Sequence, residues 1–193
     1  MTNNEYFYFA GKCLTLDEYP YSRREIIQQI ESDSINWDDF VSLCNNHLIL
    51  PVLFLKFKSH DILTYLPIEL SEFLNEIYKL NLSRNQQIME QLHDIINLFN
   101  ENGIHPTLLK GAGNLLDQLY SDLGERMMGD IDLLVAEEDY LPAVHLLERE
   151  GYSSSVEIFN KFEKQKHYPR LSKADVAADV EIHRISFSAK GFQ

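Results

Sequence analysis

The first hundred residues carry apolar positions that recur with the period of an α-helix. From Pro67 onward, aliphatic and aromatic residues return every three or four positions, which is the spacing of one buried helix face. The stripe consists of Leu70, Phe73, Leu74, Ile77, Tyr78, Ile88, Leu92, Ile95, Ile96 and Phe99. Gly103 follows as a helix stop signal. We therefore predict a helical N-terminal region over residues 1–102.

Two shorter helices are predicted ahead of this stripe. Ser22 and Glu25 have the spacing of a capping box, in which two side chains each bond the other's backbone N–H at a helix start. A further helix is predicted to begin near Asn36 or Trp37, ahead of a second apolar-periodic run. Both helices belong to the predicted N-terminal region.

The pattern changes after residue 103, where short apolar runs alternate with helical segments. Residues 106–109 predict a short buried strand, residues 110–113 a glycine turn, and residues 115–120 a helix. Residues 130–135 predict a second buried strand, and a helix then starts at the acidic residues 137–139 and ends at Gly151. Residues 176–185 predict another strand. The fold-class prediction is α/β (α+β), with a mixed sheet flanked by helices over residues 103–193.

Composition sets limits on the class of protein. With 193 residues and 45% hydrophobic residues, the chain can form one moderate domain or two small lobes. No apolar run approaches the roughly 20 residues of a membrane span, and no signal-peptide pattern is present, so we expect a cytoplasmic protein without a membrane partner. Cys13 and Cys44 lack metal-ligand spacing and are expected to be reduced thiols.

The net charge of −13 argues against a long nucleic acid as partner, because Lys and Arg drive binding to phosphate backbones. A local basic cluster nevertheless occurs, and it consists of Lys161, Lys164, Lys166, His167 and Arg170. It is interpreted either as a solvated connector or as a contact with nucleotide phosphates or with an acceptor.

The candidate chemistry centres on Asp130 and Asp132. Side chains alternate across a strand, so these two carboxylates point to the same side, roughly 6.6 Å apart along the backbone. Hard oxygen ligands suit Mg²⁺, and paired metals can hold both the attacking and the leaving oxygen of a phosphoryl transfer. An isolated pair of this kind also occurs by chance on solvated strands, so the pair gains weight only from its surroundings.

Groups suited to phosphate binding precede the acidic pair. Gly111 allows close approach of the backbone to a ligand, and the helix that follows offers unpaired N–H groups to phosphate oxygens. Lys110 and Arg126 could add charge-assisted hydrogen bonds to the same phosphates. Taken one at a time, these residues are equally compatible with an ordinary turn and a solvated surface.

In order along the chain, these motifs resemble a family of uncharacterised bacterial nucleotidyltransferases within the DNA polymerase β-type nucleotidyltransferase superfamily. The motifs are Leu109-Lys110-Gly111, Leu119-Tyr120, Gly124-Glu125-Arg126, Asp130 to Val135 and Glu181-Ile182-His183. The resemblance implies a nucleotidyltransferase-type fold, Mg²⁺ or Mn²⁺ as cofactor, and transfer of a nucleoside monophosphate from an NTP to a hydroxyl-bearing acceptor. It also implies that Lys110, Gly111, Ala112 and Arg126 bind the nucleotide.

The resemblance further implies a third carboxylate on a neighbouring strand. Glu181 occupies the family's E-I-H position and is the predicted third catalytic acid and metal ligand beside Asp130 and Asp132, with Asp179 as the alternative. His183 is interpreted either as a residue that orients a carboxylate or contacts substrate, or as a satisfied hydrogen-bond partner. One departure from the family pattern is Ala112, which replaces the usual Gly or Ser of the phosphate loop.

Two other functions stay open at the level of sequence. The first is a catalytically silent nucleotide-binding or protein-interaction module, of the kind found in toxin–antitoxin pairs, and the second is a phosphotransferase that uses the same site. Members of the resembled family often continue beyond the E-I-H motif, whereas this chain ends ten residues after His183. Truncation at the C-terminus is therefore an expectation that follows from the resemblance.

Overall fold

A computed structural model describes residues 1–117, 119–154 and 167–184. Within these residues the helices are α1 (Asn3–Leu14), α2 (Ser22–Glu31), α3 (Trp37–Asn46), α4 (Leu50–Ser59), α5 (Ile68–Glu101), α6 (Lys110–Leu116) and α7 (Tyr140–Arg149). The strands are β1 (Thr107–Leu109), β2 (Asp130–Leu134) and β3 (Asp179–His183), and 3-10 turns lie at Leu63–Tyr65 and Glu137–Asp139. This architecture confirms the predicted α+β class with a helical N-terminal region.

The chain forms two compact units. Met1–Ser83 together with Asp122–Met127 form the first, here called the helical unit, and Arg84–Ser121 together with Met128–Gln193 form the second, here called the sheet unit. Helix α5 contributes its first half to one unit and its second half to the other. The boundary predicted between residues 102 and 103 stays a prediction.

The helical unit is built around an apolar core. The core contains side chains from α1 to α4, from the connections between these helices and from the start of α5. Its buried members are Tyr6, Phe9, Ala10, Cys13, Leu16, Ile26, Ile27, Ile30, Ile35, Phe40, Cys44, Leu50, Leu53, Phe54, Phe57, Ile62, Leu66, Leu70 and Leu74. Cys13 and Cys44 are buried free thiols.

Helix starts in this unit are set by local polar side chains. Asn36 caps α3, and its Oδ1 accepts hydrogen bonds from the backbone N–H groups of Asp38 and Asp39. The predicted start of this helix is therefore confirmed. The capping box predicted at Ser22 is wrong, because Ser22 is the first residue inside α2 and no side chain caps that helix. The capping box of this unit is formed by Thr2 and Glu5 at α1.

The segment Asp122–Met127 is fixed against α5 within the helical unit. The Asn81 amide donates hydrogen bonds to the carbonyl oxygens of Gly124 (2.8 Å) and Arg126 (3.1 Å), and the Tyr78 hydroxyl donates to the Asp122 carboxylate. A Cβ on Gly124 would lie 2.7 Å from a ring carbon of Tyr78. Only glycine permits this approach of the loop to the helix.

The described part of the sheet unit contains a three-stranded mixed sheet in the order β1-β2-β3. Strand β2 is central, and its neighbours are antiparallel β1 and parallel β3. The register of β2 and β3 pairs Asp130 with Asp179 and Asp132 with Glu181. Two sequence motifs that lie 49 residues apart are thus brought side by side.

Polar side chains on the second half of α5 hold the N-terminal ends of β2 and β3. The Arg84 guanidinium donates to the carbonyl oxygens of Met128 and Gly129, immediately before β2. The Gln91 amide donates to the Ala178 carbonyl oxygen (2.7 Å) and accepts from the Ala178 N–H (3.0 Å), immediately before β3. These hydrogen bonds place the first acidic residue of each strand.

The structure corrects two expectations for residues 106–120. Strand β1 lies at the edge of the described sheet and is half-buried to exposed, whereas a buried strand was predicted. Helix α6 begins at Lys110 without a separate glycine turn and ends at Leu116, because the bend from β1 falls on Lys110 itself. Leu116 and Leu119 were predicted to lie on the apolar face of this helix, but both are exposed, and Leu119 lies beyond the end of α6.

No single helix in the described residues is both long enough and apolar enough to cross a membrane. Helices α3 and α4 satisfy the length and composition criteria as a pair, with a bend of 118° between them.

Candidate active site

The three predicted catalytic acids lie on adjacent parallel strands of the sheet unit. Asp130 and Asp132 are the first and third residues of β2, and Glu181 is the register partner of Asp132 on β3. Because side chains two residues apart share a face, the carboxylates of Asp130 and Asp132 lie on the face that also carries Glu181. The sheet therefore brings the three acids together.

Asp132 is a buried carboxylate, with 1% of the residue exposed. Its Oδ1 accepts hydrogen bonds from the Lys110 ammonium at 2.6 Å and from Nε2 of His183 at 2.8 Å. A carboxylate removed from water must be paired and hydrogen-bonded, and these two donors meet that requirement. Asp132 is consequently held in one orientation by groups from β3 and from the start of α6.

A second cation, Arg170, bridges the other acids. Its Nη2 lies 3.1 Å from Oδ2 of Asp130 and 3.3 Å from Oε1 of Glu181, and its Nη1 lies 3.9 Å from Oδ2 of Asp179. Glu181 thus shares Arg170 with Asp130, and its Oε2 lies 3.6 Å from Nε2 of His183. The acids and their cationic partners form one connected network.

The electrostatics of the site favour positive charge. The pKa of Asp130 is raised by burial first and then by the negative charges of Asp132 and Glu181. The hydrogen bond to Asp132 raises the pKa of Lys110, and the hydrogen bond to Glu181 raises the pKa of Arg170. Like charges this close repel each other, so the cluster gains stability from any cation placed among the carboxylates.

Lys110 has an unusual backbone conformation at the junction of β1 and α6. Its φ of +50° lies in the left-handed region, which non-glycine residues rarely adopt and which costs about 1–3 kcal/mol at such positions. Gly113, one turn further into α6, packs so closely that a Cβ there would lie 3.1 Å from the Leu108 carbonyl oxygen. This close junction places the Lys110 ammonium on Asp132.

The donor set of the site fits a divalent cation. In the described part of the chain, ligand atoms of Asp132, Glu181 and His183 all lie within 4.8 Å of one another. Asp130 stands outside that group, and its carboxylate is bound by Arg170. Carboxylate oxygens are the ligands that Mg²⁺ and Mn²⁺ prefer, and two of the three grouped side chains, Asp132 and Glu181, are carboxylates.

The hydrogen bonds of His183 indicate that it orients Asp132. Its Nε2 must carry the proton of the hydrogen bond to Asp132, because a carboxylate only accepts. Its Nδ1 is buried and has no hydrogen-bond partner among the described residues. A metal-ligating histidine normally donates its other N–H to an acceptor, so this environment favours the first interpretation of His183, a residue that orients a carboxylate.

The predicted nucleotide-binding residues fall in both units. Lys110, Gly111 and Ala112 open α6 in the sheet unit, where the lysine is exposed and the other two residues are buried. Arg126 is an exposed residue of the helical unit. Within the predicted basic cluster, Arg170 contacts the acids, whereas Lys161, Lys164 and Lys166 lie outside the described residues.

Asn81, Arg84 and Gln91 position functional segments but were not predicted from the sequence. A signal for the first of them was present, because the apolar stripe of α5 is interrupted between Tyr78 and Ile88. Asn81 continues the helical spacing of that stripe and is buried, as is Gln91 further along the helix. A buried amide on an apolar helix face requires a polar partner, and here the partners include backbone carbonyl oxygens outside the strands.

Comparison with known proteins gives one match. A family model described as uncharacterised nucleotidyltransferase matches residues 33–193, which is well over half of the chain and includes all the acids of the site. Neither the curated proteins nor the solved structures that were searched contain a match.

Proposed function

The chain belongs to the uncharacterised nucleotidyltransferase family, and we propose that it moves a nucleoside monophosphate from an NTP to a hydroxyl group of a small-molecule or protein acceptor, with release of pyrophosphate. Membership of this family supports nucleotidyl transfer as the general reaction. The metal dependence, the kind of acceptor and the residue roles are parts of the proposal.

The observation that carries the proposal is the convergence of Asp130, Asp132 and Glu181 on neighbouring strands. Two of these residues form the D-x-D motif of β2, and the third is brought beside them by the parallel register with β3. Cations reach the cluster from two segments, with Lys110 on Asp132 and Arg170 on Asp130 and Glu181. A site that concentrates negative charge and exposed cationic side chains suits a metal–triphosphate substrate.

In the proposed mechanism, Asp130 and Asp132 hold the Mg²⁺ or Mn²⁺ that accompanies the nucleotide. Glu181 helps to hold a second cation or acts as general base on the acceptor hydroxyl, and Asp179 is the alternative third acid. The bound cation supplies neutralisation of phosphate charge and acidification of the acceptor oxygen. Glu181 is preferred because it lies beside Asp132 in the register and is less exposed than Asp179.

The remaining residues bind and orient the substrate. Lys110 would contact phosphate oxygens, with the backbone of Gly111 and Ala112 beside it. The nucleotide-binding role of Arg126 stays a prediction from the sequence. His183 keeps Asp132 in place through its Nε2–H. The acceptor oxygen forms a bond to the α-phosphorus while the bond from that phosphorus to the bridging oxygen breaks, the hydroxyl proton passes to Glu181, and pyrophosphate leaves.

Isothermal titration calorimetry tests the proposal directly. ATP, GTP, CTP and UTP are titrated into the protein with Mg²⁺ and with EDTA, and the titrations are repeated with the Asp130→Asn/Asp132→Asn variant. The matched control is Asp94→Asn, which removes one exposed carboxylate from α5 in the same unit. We expect metal-dependent binding of at least one NTP by the wild type and the control, and its loss in the double variant.

Binding that survives EDTA or the double variant would contradict the metal site. Product analysis then separates the two enzymatic alternatives, because nucleotidyl transfer releases pyrophosphate whereas a phosphotransferase releases a nucleoside diphosphate. A protein that binds NTP but turns over none of it with any acceptor would be the silent module. The cytoplasm is the proposed location, and fractionation of producing cells tests it.

A further inference from the structure

Arg170 is anchored beside β3 by backbone hydrogen bonds. The Leu171 N–H donates to the Val180 carbonyl oxygen (2.9 Å), and the Val180 N–H donates back to Leu171 (2.8 Å). On the other side of Arg170, the Tyr168 N–H donates to the Ile182 carbonyl oxygen (2.8 Å). The backbone of Arg170 is therefore fixed next to the strand that carries Glu181.

The side chain of Arg170, in contrast, is accessible. It is 54% exposed, while the side chains of its partners Asp130 and Glu181 are 25% and 13% exposed. An exposed guanidinium on a flexible stem can leave a carboxylate at low cost, since exposed ion pairs contribute little stability. The carboxylates keep their positions when it leaves, because they belong to paired strands.

Arg170 occupies carboxylate oxygens that the proposed metal site requires. Asp130 and Glu181 carry two of the three negative charges of the site, and Arg170 lies within 3.3 Å of an oxygen of each. A divalent cation on these carboxylates would repel the guanidinium, whereas a triphosphate would attract it. The metal ion of the substrate complex thus repels the Arg170 side chain, and the triphosphate of the same complex attracts it.

We propose that Arg170 is an exchangeable counterion of the active site, which neutralises Asp130 and Glu181 in the free protein and binds the triphosphate when metal and nucleotide enter together. The inference rests on the proposed function and adds a substrate-binding residue to it. Arg170 weakens binding of metal alone and strengthens binding of the metal–nucleotide complex. The protein therefore discriminates against divalent cations that arrive without a nucleotide.

Two titrations test this inference on the full chain. Mn²⁺ alone is titrated into the wild type, Arg170→Gln and Arg149→Gln, and each of the four NTPs is then titrated in the presence of Mn²⁺. Arg149 is the matched control, because it is an exposed arginine at the end of α7 in the same unit. Its removal changes the net charge equally without touching the acids.

For Arg170→Gln we expect Mn²⁺ alone to bind about three- to tenfold more tightly, and the Mn²⁺–NTP complex to bind about tenfold more weakly. Arg149→Gln should match the wild type in both titrations. Arg170→Lys keeps the charge but loses the two-pronged fork, so its shifts should have the same signs and smaller sizes. This variant carries the test if Arg170→Gln fails to fold.

Unchanged or weaker Mn²⁺ binding by Arg170→Gln would overturn the exchange, and unchanged NTP binding would overturn the phosphate contact. If Arg170→Gln behaves like Arg149→Gln while Asp130→Asn/Asp132→Asn abolishes NTP binding, the inference fails and the proposed function stands. If the wild type binds neither Mn²⁺ nor any NTP, both fail together.

Discussion

The helical unit and the sheet unit treat charge in opposite ways. The hydrophobic core of the helical unit contains no charged residue, and in its ion pairs, such as Lys12–Glu25 and Lys56–Asp17, the carboxylate side chain is more than half exposed. The sheet unit buries Asp132 and His183 in mutual contact, at 1% and 2% exposure. Burying a carboxylate opposes folding unless it is paired, so its presence at the centre of the sheet indicates chemistry rather than packing.

The buried apolar residues of the helical unit and the charged residues of the sheet unit are therefore expected to have different roles. Side chains of the helical core stabilise the fold through apolar burial, and their replacement should change the free energy of unfolding. Side chains of the acidic cluster hold one another through hydrogen bonds and charge, and their replacement should change binding and turnover. The predictions below test this division, from the largest expected effect to the smallest.

The largest effect is expected for Asp132→Asn. The amide keeps the shape of the carboxylate but loses the charge that would hold a metal, so turnover should fall by about a thousandfold or more, comparable with losses of other transition-state charge stabilisers. Metal-dependent pyrophosphate release measures the effect. Asp94→Asn should retain full turnover, and a retained rate in Asp132→Asn would remove Asp132 from the mechanism.

Phe57→Ala tests the apolar core of the helical unit. Phe57 is completely buried, and its truncation should lower the free energy of unfolding by about 3–5 kcal/mol through lost burial and a residual cavity. The control is Phe7→Ala, because Phe7 is 51% exposed and the same change there should cost under about 1 kcal/mol. Denaturant unfolding followed by circular dichroism measures both, and equal losses would contradict the assigned core.

Gly124→Ala tests the contact between Asp122–Met127 and α5. The added Cβ would lie 2.7 Å from a Tyr78 ring carbon and 3.0 Å from the Leu82 Cβ, so we expect a loss of about 1–3 kcal/mol. Gly11→Ala is the control, because nothing lies within 4 Å of its added Cβ. Within helix α1 that change should instead stabilise by about 0.5–1 kcal/mol. A tolerated Gly124→Ala would show that this loop packs less closely.

The smallest effect concerns the pH dependence of the helical unit. Hydrogen bonds from Lys56 and His60 lower the pKa of Asp17. A lowered carboxyl pKa contributes stability that is present above the unfolded value, about 3.9, and is lost as the pH falls through the folded value. Asp17→Asn should therefore destabilise at pH 7, and its difference from the wild type should shrink below about pH 4.

Urea unfolding at pH 7 and pH 3 measures this difference. Glu72→Gln serves as control, since Glu72 is an exposed acid on α5 in the same unit. Glu72→Gln should not lower the free energy of unfolding at pH 7 as Asp17→Asn does. A pH-independent effect of Asp17→Asn would assign the stabilisation to packing.

Features that depend on neighbouring residues were predictable from the sequence. The helix of α5, the stop at Gly103 and a helix start near Asn36 follow from local spacing and backbone preference, and the structure confirms them. One member of the predicted buried stripe is wrong, because Phe73 is 41% exposed. Strand β2 was predictable for the same reason. Local spacing gave a wrong prediction at Ser22. Ser22 and Glu25 have the spacing of a capping box, but Ser22 lies inside α2.

The partners of the acids were not predictable in this way. Arg170 stands forty residues after Asp130 in the sequence, and Gln91 stands eighty-seven residues before Ala178. Their contacts depend on strand register and on how α5 packs, which no short window of sequence contains. The basic cluster marked Arg170 as notable, but it left open whether that arginine contacts acids, phosphates or solvent.

The sequence by itself determined the helical region, the α+β class and the acidic motif on β2, because helix and strand periods are properties of consecutive residues. Only the tertiary structure decided that Glu181 lies beside Asp132, that Lys110 and His183 share one Asp132 oxygen, and that Arg170 bridges the other acids. The physical reason is that β-sheet pairing joins distant segments. The charged side chains that it brings together then fix one another's orientation through hydrogen bonds and ion pairs.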